Sequence, residues 1–485
     1  MNTDLTALKP ALVWKHFAAM TQIPRPSFHE EKIRRYVMET VRSFGLECKE
    51  DAAHNVYVSK PASKGMEDRK GVVLQAHLDM VPQKNNDKKF DFTKDAIDAY
   101  VDGEWVTADG TTLGADNGIG AAAILAVLED DTLVHGPLEA LFTATEETGM
   151  DGAFGLQPGV LRGEILLNLD SETEGELYVG CAGGLDANMT LPYGEEPTPA
   201  AGYAAARLTV KGLKGGHSGI QIVCQRANAN KVLFRFLNAA PCELLLCSVD
   251  GGGLRNAIPR EAEAVVLVPE AGYAAFAEAV AAYEKTIQEE FAGIEDGVSI
   301  RVEPCARPER MLPREAAMRL IRAVVGCPDG VQRMSMAMPG LVQTSSNLAR
   351  VVSDGSAVKM QSLLRSSVRS EKFALGEAIT AVFALAGATT ELTGAYDGWN
   401  PDMQSPILKA MTASYEALYG RKPAVTAIHA GLECGIIGGK YPGLDMISFG
   451  PTISYPHSPD EKVEIASVAK FYDFLVHTLR NVPEK

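Results

Sequence analysis

A chain of 485 residues is longer than one hydrophobic core usually organises, so two or more domains are expected. Its 46% hydrophobic and 22% charged residues fit a globular protein rather than a disordered or fibrous one. A net charge of −16 argues against a nucleic-acid partner, because the electrostatic footprint of phosphate binding is basic.

In chain order, the N-terminal segment lacks the charged-then-apolar layout of a signal peptide. Ser27-Phe28-His29-Glu30 has the form of a capping box, predicting a helix over 32–44 that Gly45 closes. Apolar runs bounded by turn residues predict buried strands at 54–59, 72–76, 138–143 and 165–169, with a helix over 119–128 between the second and third. This alternation predicts an open, largely parallel α/β sheet. The polar stretch 84–112 reads as a hairpin-like surface excursion. After Cys181-Ala182-Gly183-Gly184 the texture changes to alternating runs at 205–210 and 262–268 and an alanine-rich helix at 273–292. Helices are predicted again at 406–419 and 466–479. The expected organisation is a catalytic α/β domain in two parts, 1–182 and 393–485, with an inserted α+β lid or dimerisation domain over 183–392. No apolar run reaches the roughly 18 residues of a membrane span. The eight cysteines are scattered without a CxxC pair, so reduced thiols and a cytoplasmic location are expected.

In open α/β sheets, ligands sit beyond the C-terminal ends of the strands. Ionisable residues gather at those positions. His77-Leu78-Asp79 ends one apolar run, Glu146-Glu147 follows the run from Leu138, and Asp170 ends the run from Glu164. Between the first two, Gly114-Ala115-Asp116-Asn117-Gly118-Ile119-Gly120 is a glycine-flanked acidic turn leading into a helix. One imidazole and five carboxylates would converge on one sheet edge, where bare carboxylates at that density would repel one another and drive pKa values upward. A divalent metal cluster is the simplest compensation. Mixed histidine and carboxylate donors suit Zn²⁺, with Mn²⁺ or Co²⁺ tolerated. Three further histidines stand apart from the rest: His217 in a Gly-Gly-His-Ser-Gly turn, His429, and His457 in Pro456-His457-Ser458-Pro459-Asp460-Glu461. His429 and Glu433 lie four residues apart, a spacing that fits a structural helical pair.

Seven motifs then carry a resemblance across essentially the whole chain: AHLDMV, GADNGIG, TATEETG, NLDSE, GGHSG, RNAIPRE and PHSPDE. Together and in this order they resemble the metallopeptidase family of carboxypeptidase G, aminoacylase and peptidase T, and within it the aminoacyl-histidine dipeptidase branch. The resemblance implies that His77, Asp116 and Asp170 hold one metal ion and Asp116, Glu147 and His457 a second, with Asp116 bridging. It implies that Asp79 orients His77 and that Glu146 is the general base, taking a proton from the metal-bridging water and returning it to the leaving amine. It implies a cis peptide bond at Asp116–Asn117 and a role for His217 in polarising the scissile carbonyl. Asn256, Arg369 and Gly431 would contact substrate, Arg369 by a bidentate grip on the C-terminal carboxylate. The implied activity is hydrolysis of dipeptides of the Xaa-His kind, a small peptide being the partner. The family often pairs through the inserted domain, so a homodimer is within its expectations. The same centre would also serve an N-acyl-amino-acid amidohydrolase. A catalytically silent binding protein of this fold would be expected to lack Glu146 or a ligand, and every one is present.

Overall fold

The computed structural model describes residues 4–485, which divide into two compact units. The first comprises the chain through Cys181, Trp399–Ala427 and Leu432–Lys485; the second comprises Ala182–Gly398 and Ile428–Gly431. The second runs beyond residue 392 because Thr389–Tyr396 is a strand hydrogen-bonded to Gly183–Pro192.

Among the described residues, the first unit is built on an eight-stranded sheet. Its order is Cys48–Glu50, Val56–Lys60, Leu138–Thr143, Val72–His77, Ile165–Asn168, Asp445–Ser448, Glu176–Cys181, Ala424–Ile428. The four central strands, from Leu138–Thr143 to Asp445–Ser448, run parallel, and antiparallel pairs flank them. Val72–His77 is buried at every position, as a central strand covered on both faces must be. The helix Ala115–Glu129 is likewise apolar all round and buried almost throughout, packed between the helix Ala11–Thr21 and the central strand. It begins earlier than the periodicity predicts. Asp116 and Asn117 interrupt its helical dihedrals, and the peptide bond between them is cis. The glycines of this turn are sterically required: a Cβ at Gly114 or Gly118 would lie 2.6 Å from Arg25 Nη2, and Gly114 has φ +71°.

The capping box at 27–30 does not form. The helix Glu31–Ser43 starts without a side-chain cap, because both intended capping groups are used elsewhere. Ser27 Oγ donates to Asp79 Oδ2, and Glu30 accepts from the backbone and hydroxyl of Thr145. The excursion at 84–112 does contain a hairpin, Ala99–Asp102 with Trp105–Ala108. The strand Lys462–Glu464 joins it and in turn pairs with Ile453–Ser454.

The second unit is an antiparallel sheet running Ser299–Pro304, Tyr203–Lys211, Ala262–Pro269, Leu245–Gly252, Val342–Ser353, Ala357–Ser366, Gly183–Pro192, Thr389–Tyr396. Apolar residues alternating along these strands meet helices such as Ala229–Asn238 and Arg314–Gly326 in one core containing Leu208, Val266, Phe234 and Leu320. The predicted helical pair of His429 and Glu433 is absent. The helix spans Glu433–Lys440, and His429 lies in a bend before it. Among the described residues no helix is long and apolar enough to cross a membrane, and the eight cysteines are free.

Candidate active site

Three parallel strands and the kinked helix start deliver their ionisable residues to one edge of the first unit's sheet. His77 is the last residue of its strand, Asp170 follows Ile165–Asn168 by two positions, and Glu146-Glu147 opens the turn after Leu138–Thr143. Asp116 enters from the helix start and His457 from the loop between Ile453–Ser454 and Lys462–Glu464.

His77 Nε2 lies 3.1 Å from Asp116 Oδ1 and 3.3 Å from Asp170 Oδ1. His457 Nε2 lies 3.2 Å from Asp116 Oδ2 and 3.0 Å from Glu147 Oε2. The two oxygens of Asp116 thus face two different triangles, as a bridging carboxylate requires. His77 Nδ1 lies 3.1 Å from the carbonyl oxygen of Asp79 and donates to it, which turns Nε2 toward Asp116 and Asp170. The Asp79 carboxylate is 3.4 Å from Nδ1, and its main engagement is different: Oδ1 accepts from Glu146 N and Oδ2 from Glu147 N and Ser27 Oγ. Asp79 therefore fixes the turn that carries both glutamates.

The electrostatics show a surplus of negative charge. Burial, with Asp116 and Glu147 adding to it, pushes Asp170 up to about 6. Burial holds Glu146 well above the carboxylate range, with Asp170, Glu433 and Glu147 reinforcing it against the pull of His77. Burial and the charges of Asp116 and Asp170 lift Glu172 to about 8. Burial opposes a charged His77, but Asp170, Asp116 and Asp79 together outweigh it and hold the imidazole well above its ordinary value.

These donors fit metal ions. In each triangle one imidazole nitrogen faces two carboxylate oxygens and has a single proton or lone pair to share between them. Glu147 Oε1 is buried without a hydrogen-bond partner, and so is Asp170 Oδ1, whose contact with His77 falls outside hydrogen-bond geometry. An ion with bonds of about 2.0–2.2 Å in tetrahedral geometry separates its ligands by about 3.4 Å, close to the observed separations. The sets His77–Asp116–Asp170 and Asp116–Glu147–His457 each bring one ligand atom per residue within 4.8 Å of the others. The side chains could hold metal ions.

The remaining predicted residues lie in the second unit. Gly216–His217 pairs with Ala257–Ile258, which brings Asn256 beside His217; the Asn256 carbonyl accepts from Ser218 N at 2.8 Å. His217 Nδ1 accepts from Gly219 N and Ile220 N, so the neutral ring carries its proton on Nε2, and burial and Arg365 lower its pKa. A Cβ at Gly431 would lie 3.0 Å from the Tyr396 hydroxyl, so a side chain there would require the tyrosine ring to shift. Arg369 has a side chain 67% exposed, and its Nη1 bonds both oxygens of Asp397, at 2.6 and 2.7 Å. Four residues earlier, Arg365 is 6% exposed, donates to the Tyr396 hydroxyl at 3.3 Å, and keeps a buried Nε without a partner.

Several residues of the site escape sequence reasoning. Arg25 is buried and donates to the carbonyls of Leu78, Asp79 and Gly114, joining the His77 strand end to the Asp116 turn. Glu433 is buried against Gln75 and Thr143, and burial and Asp170 raise it to about 8 against the pull of His77. Glu461 accepts from four successive backbone N–H groups, Leu113 to Asp116. It stands in the PHSPDE motif, the one available signal; nothing local marks Arg25, and the spacing of Glu433 from His429 points only to a structural pair.

Comparison with known proteins agrees with this geometry. A family model described as Peptidase family M20/M25/M40 matches residues 73–481. Over 485 residues, 100% of both chains, the sequence is 46% identical to the cytosol non-specific dipeptidase of Escherichia coli (strain K12). The aminoacylhistidine dipeptidase of Vibrio alginolyticus has a similar crystal structure, with a TM-score of 0.95 and 47% identity over 100% of this chain and 99% of that one. Aminopeptidase PepT from Bacillus cereus ATCC 10987 shares the fold at a TM-score of 0.58 and 15% identity, over 98% and 99% of the chains. With a family model spanning most of its length and a full-length relative at 46% identity, the chain belongs to peptidase family M20/M25/M40.

Proposed function

We propose that the chain is a metal-dependent dipeptidase whose substrates include Xaa-His dipeptides of the β-alanyl-histidine kind. The observation that carries the reading is the pair of ligand triangles sharing Asp116, in a member of a peptidase family similar over its full length to two dipeptidases. His77, Asp116 and Asp170 would hold one divalent ion, and Asp116, Glu147 and His457 the other. Zn²⁺ suits these donors, and Mn²⁺ or Co²⁺ would be accepted. When bound, the ions polarise the scissile carbonyl and make water a nucleophile near neutral pH.

The chain's own groups do the rest. Glu146 takes the proton of the attacking water and hands it to the leaving amine. Asp79 holds Glu146 at its post through the backbone N–H groups of that turn. His217 presents a neutral Nε2–H, a donor suited to the negative charge growing on the carbonyl oxygen. For the substrate carboxylate we assign Arg365 in place of Arg369, because a buried guanidinium with an unengaged Nε has a donor to offer. Asn256 and Gly431 are proposed as further substrate contacts. A cytoplasmic location and a homodimer belong to the same proposal.

The test is hydrolysis of β-Ala-His, Gly-His, Gly-Leu and an N-acetyl amino acid by purified protein, after EDTA and after metal is added back. Cleavage of the dipeptides that EDTA abolishes and a divalent ion restores is the expected result. Full activity after EDTA overturns the metal reading, and preference for the N-acetyl amino acid turns the assignment to an amidohydrolase.

A further inference from the structure

Glu461 is 2% exposed, yet no lysine or arginine side chain donates to it. Its Oε2 accepts from Leu113 N at 2.8 Å and Gly114 N at 2.9 Å; its Oε1 accepts from Ala115 N at 2.8 Å and Asp116 N at 3.2 Å. This backbone stretch is the turn that delivers Asp116. Glu461 also ends the short loop of His457, where its own N–H bonds to the Ser458 carbonyl at 3.0 Å. One carboxylate therefore joins the two chain segments whose side chains meet at His457 Nε2 and Asp116 Oδ2.

The His457 loop needs such a tether. Tyr455 and His457 both have left-handed backbones, φ 56° and 59°, a conformation that non-glycine residues keep only where surrounding contacts impose it. His457 has a half-exposed side chain and stands in the connection between two short antiparallel strands, Ile453–Ser454 and Lys462–Glu464. His77 and Asp170 differ, since the register of parallel strands fixes them independently.

We propose that Glu461 is a positioning residue that locks the His457 loop to the Asp116 turn, presetting Asp116, Glu147 and His457 for a cation without setting the His77 side of the centre. The proposal rests on the two-ion reading above. Glu461→Gln tests it with little change of volume, because the amide NH₂ must confront two of the four backbone N–H groups.

Metal-free protein is titrated with Co²⁺, followed by visible absorption and equilibrium dialysis. The parent should bind two ions. E461Q should weaken the second ion about 10–100-fold, the usual loss when a group orienting a ligand is removed, and the first much less, because His77 and Asp170 keep their own supports. His457→Ala gives the reference signature of a one-ion protein, and Glu461→Asp, which keeps the charge with a shorter reach, should recover part of the second site. Two ions bound by E461Q at parental affinity, or equal weakening of both, overturns the proposal. Fewer than two ions in the parent overturns instead the reading beneath it. Should circular dichroism show E461Q unfolded, E461D is read for the same selective weakening, with the same overturning results.

Discussion

The two ligand triangles that meet at Asp116 rest on different kinds of scaffold. His77 and Asp170 extend from neighbouring parallel strands whose register sets Gln75 opposite Asn168, and His77 is 1% exposed. His457 stands in a loop with a left-handed backbone, its side chain 52% exposed. One side of the centre is fixed by the ladder hydrogen bonds of the core sheet. The other rides on a loop between two short antiparallel strands, tied to the Asp116 turn by side-chain contacts to backbone. Loss of a ligand should therefore disturb the whole fold on the first side and only the metal on the second.

The largest expected effect probes what both sides share. Glu146→Gln should lower kcat by about 10²–10⁴-fold with both ions retained, whereas Glu147→Gln should lose an ion. Elemental analysis beside kinetics separates them, and exchanged outcomes would exchange the two roles. The contrast itself is sharpened by stability without metal. His77→Ala leaves buried Asp116 and Asp170 without their imidazole and should cost about 3–5 kcal/mol in denaturant titrations under EDTA. His457→Ala removes a half-exposed imidazole and should cost less than His77→Ala. Equal losses would erase the distinction between sheet-borne and loop-borne ligands.

A smaller effect extends the comparison to the second unit, where a buried and an exposed arginine again differ. Arg365→Lys should weaken cleavage of free dipeptides relative to C-terminally amidated ones by about 1.5–3 kcal/mol of coupling, while Arg369→Lys should stay below about 1 kcal/mol. A larger coupling at Arg369 would restore the assignment made from sequence. A comparably small effect is expected of Ser27→Ala, which removes one hydrogen bond to Asp79 and should cost about 1 kcal/mol in thermal or chemical denaturation.

The sheet-borne half is also the half that periodicity reveals. The runs at 72–76, 138–143 and 165–169 lie within a residue or two of observed strands, so the residues just beyond them fall on one edge by geometry alone. His457 follows no apolar run and stands out only by motif resemblance. Local pattern misleads where tertiary contacts claim the same atoms. Ser27 and Glu30 have capping-box spacing, but Asp79 and Thr145 take their side chains. His429 and Glu433 have helical spacing, but the bend at 429–430 comes between them and the helix starts only at Glu433. Arg365 and Arg369 are indistinguishable by spacing, since one sits on the strand Ala357–Ser366 and the other opens the helix Arg369–Leu385, where Asp397 is within reach. Arg25 and Glu461 act on backbone groups far away in the chain, and no residue pattern records such partners.

The short segment Ile428–Gly431 limits how the protein can be cut and recombined. The chain passes from one unit to the other at 181–182, 398–399, 427–428 and 431–432, so the second unit is not a single cassette. Replacing 182–398 with a linker would strand these four residues and remove two partners they now have. Ala182 N–H bonds the Ala430 carbonyl at 2.9 Å, and Ser345 Oγ lies 2.7 Å from His429 Nε2. A chimera that exchanges this unit with that of a relative has to carry both pieces, and a permuted chain opened between 398 and 428 would separate them at its new ends.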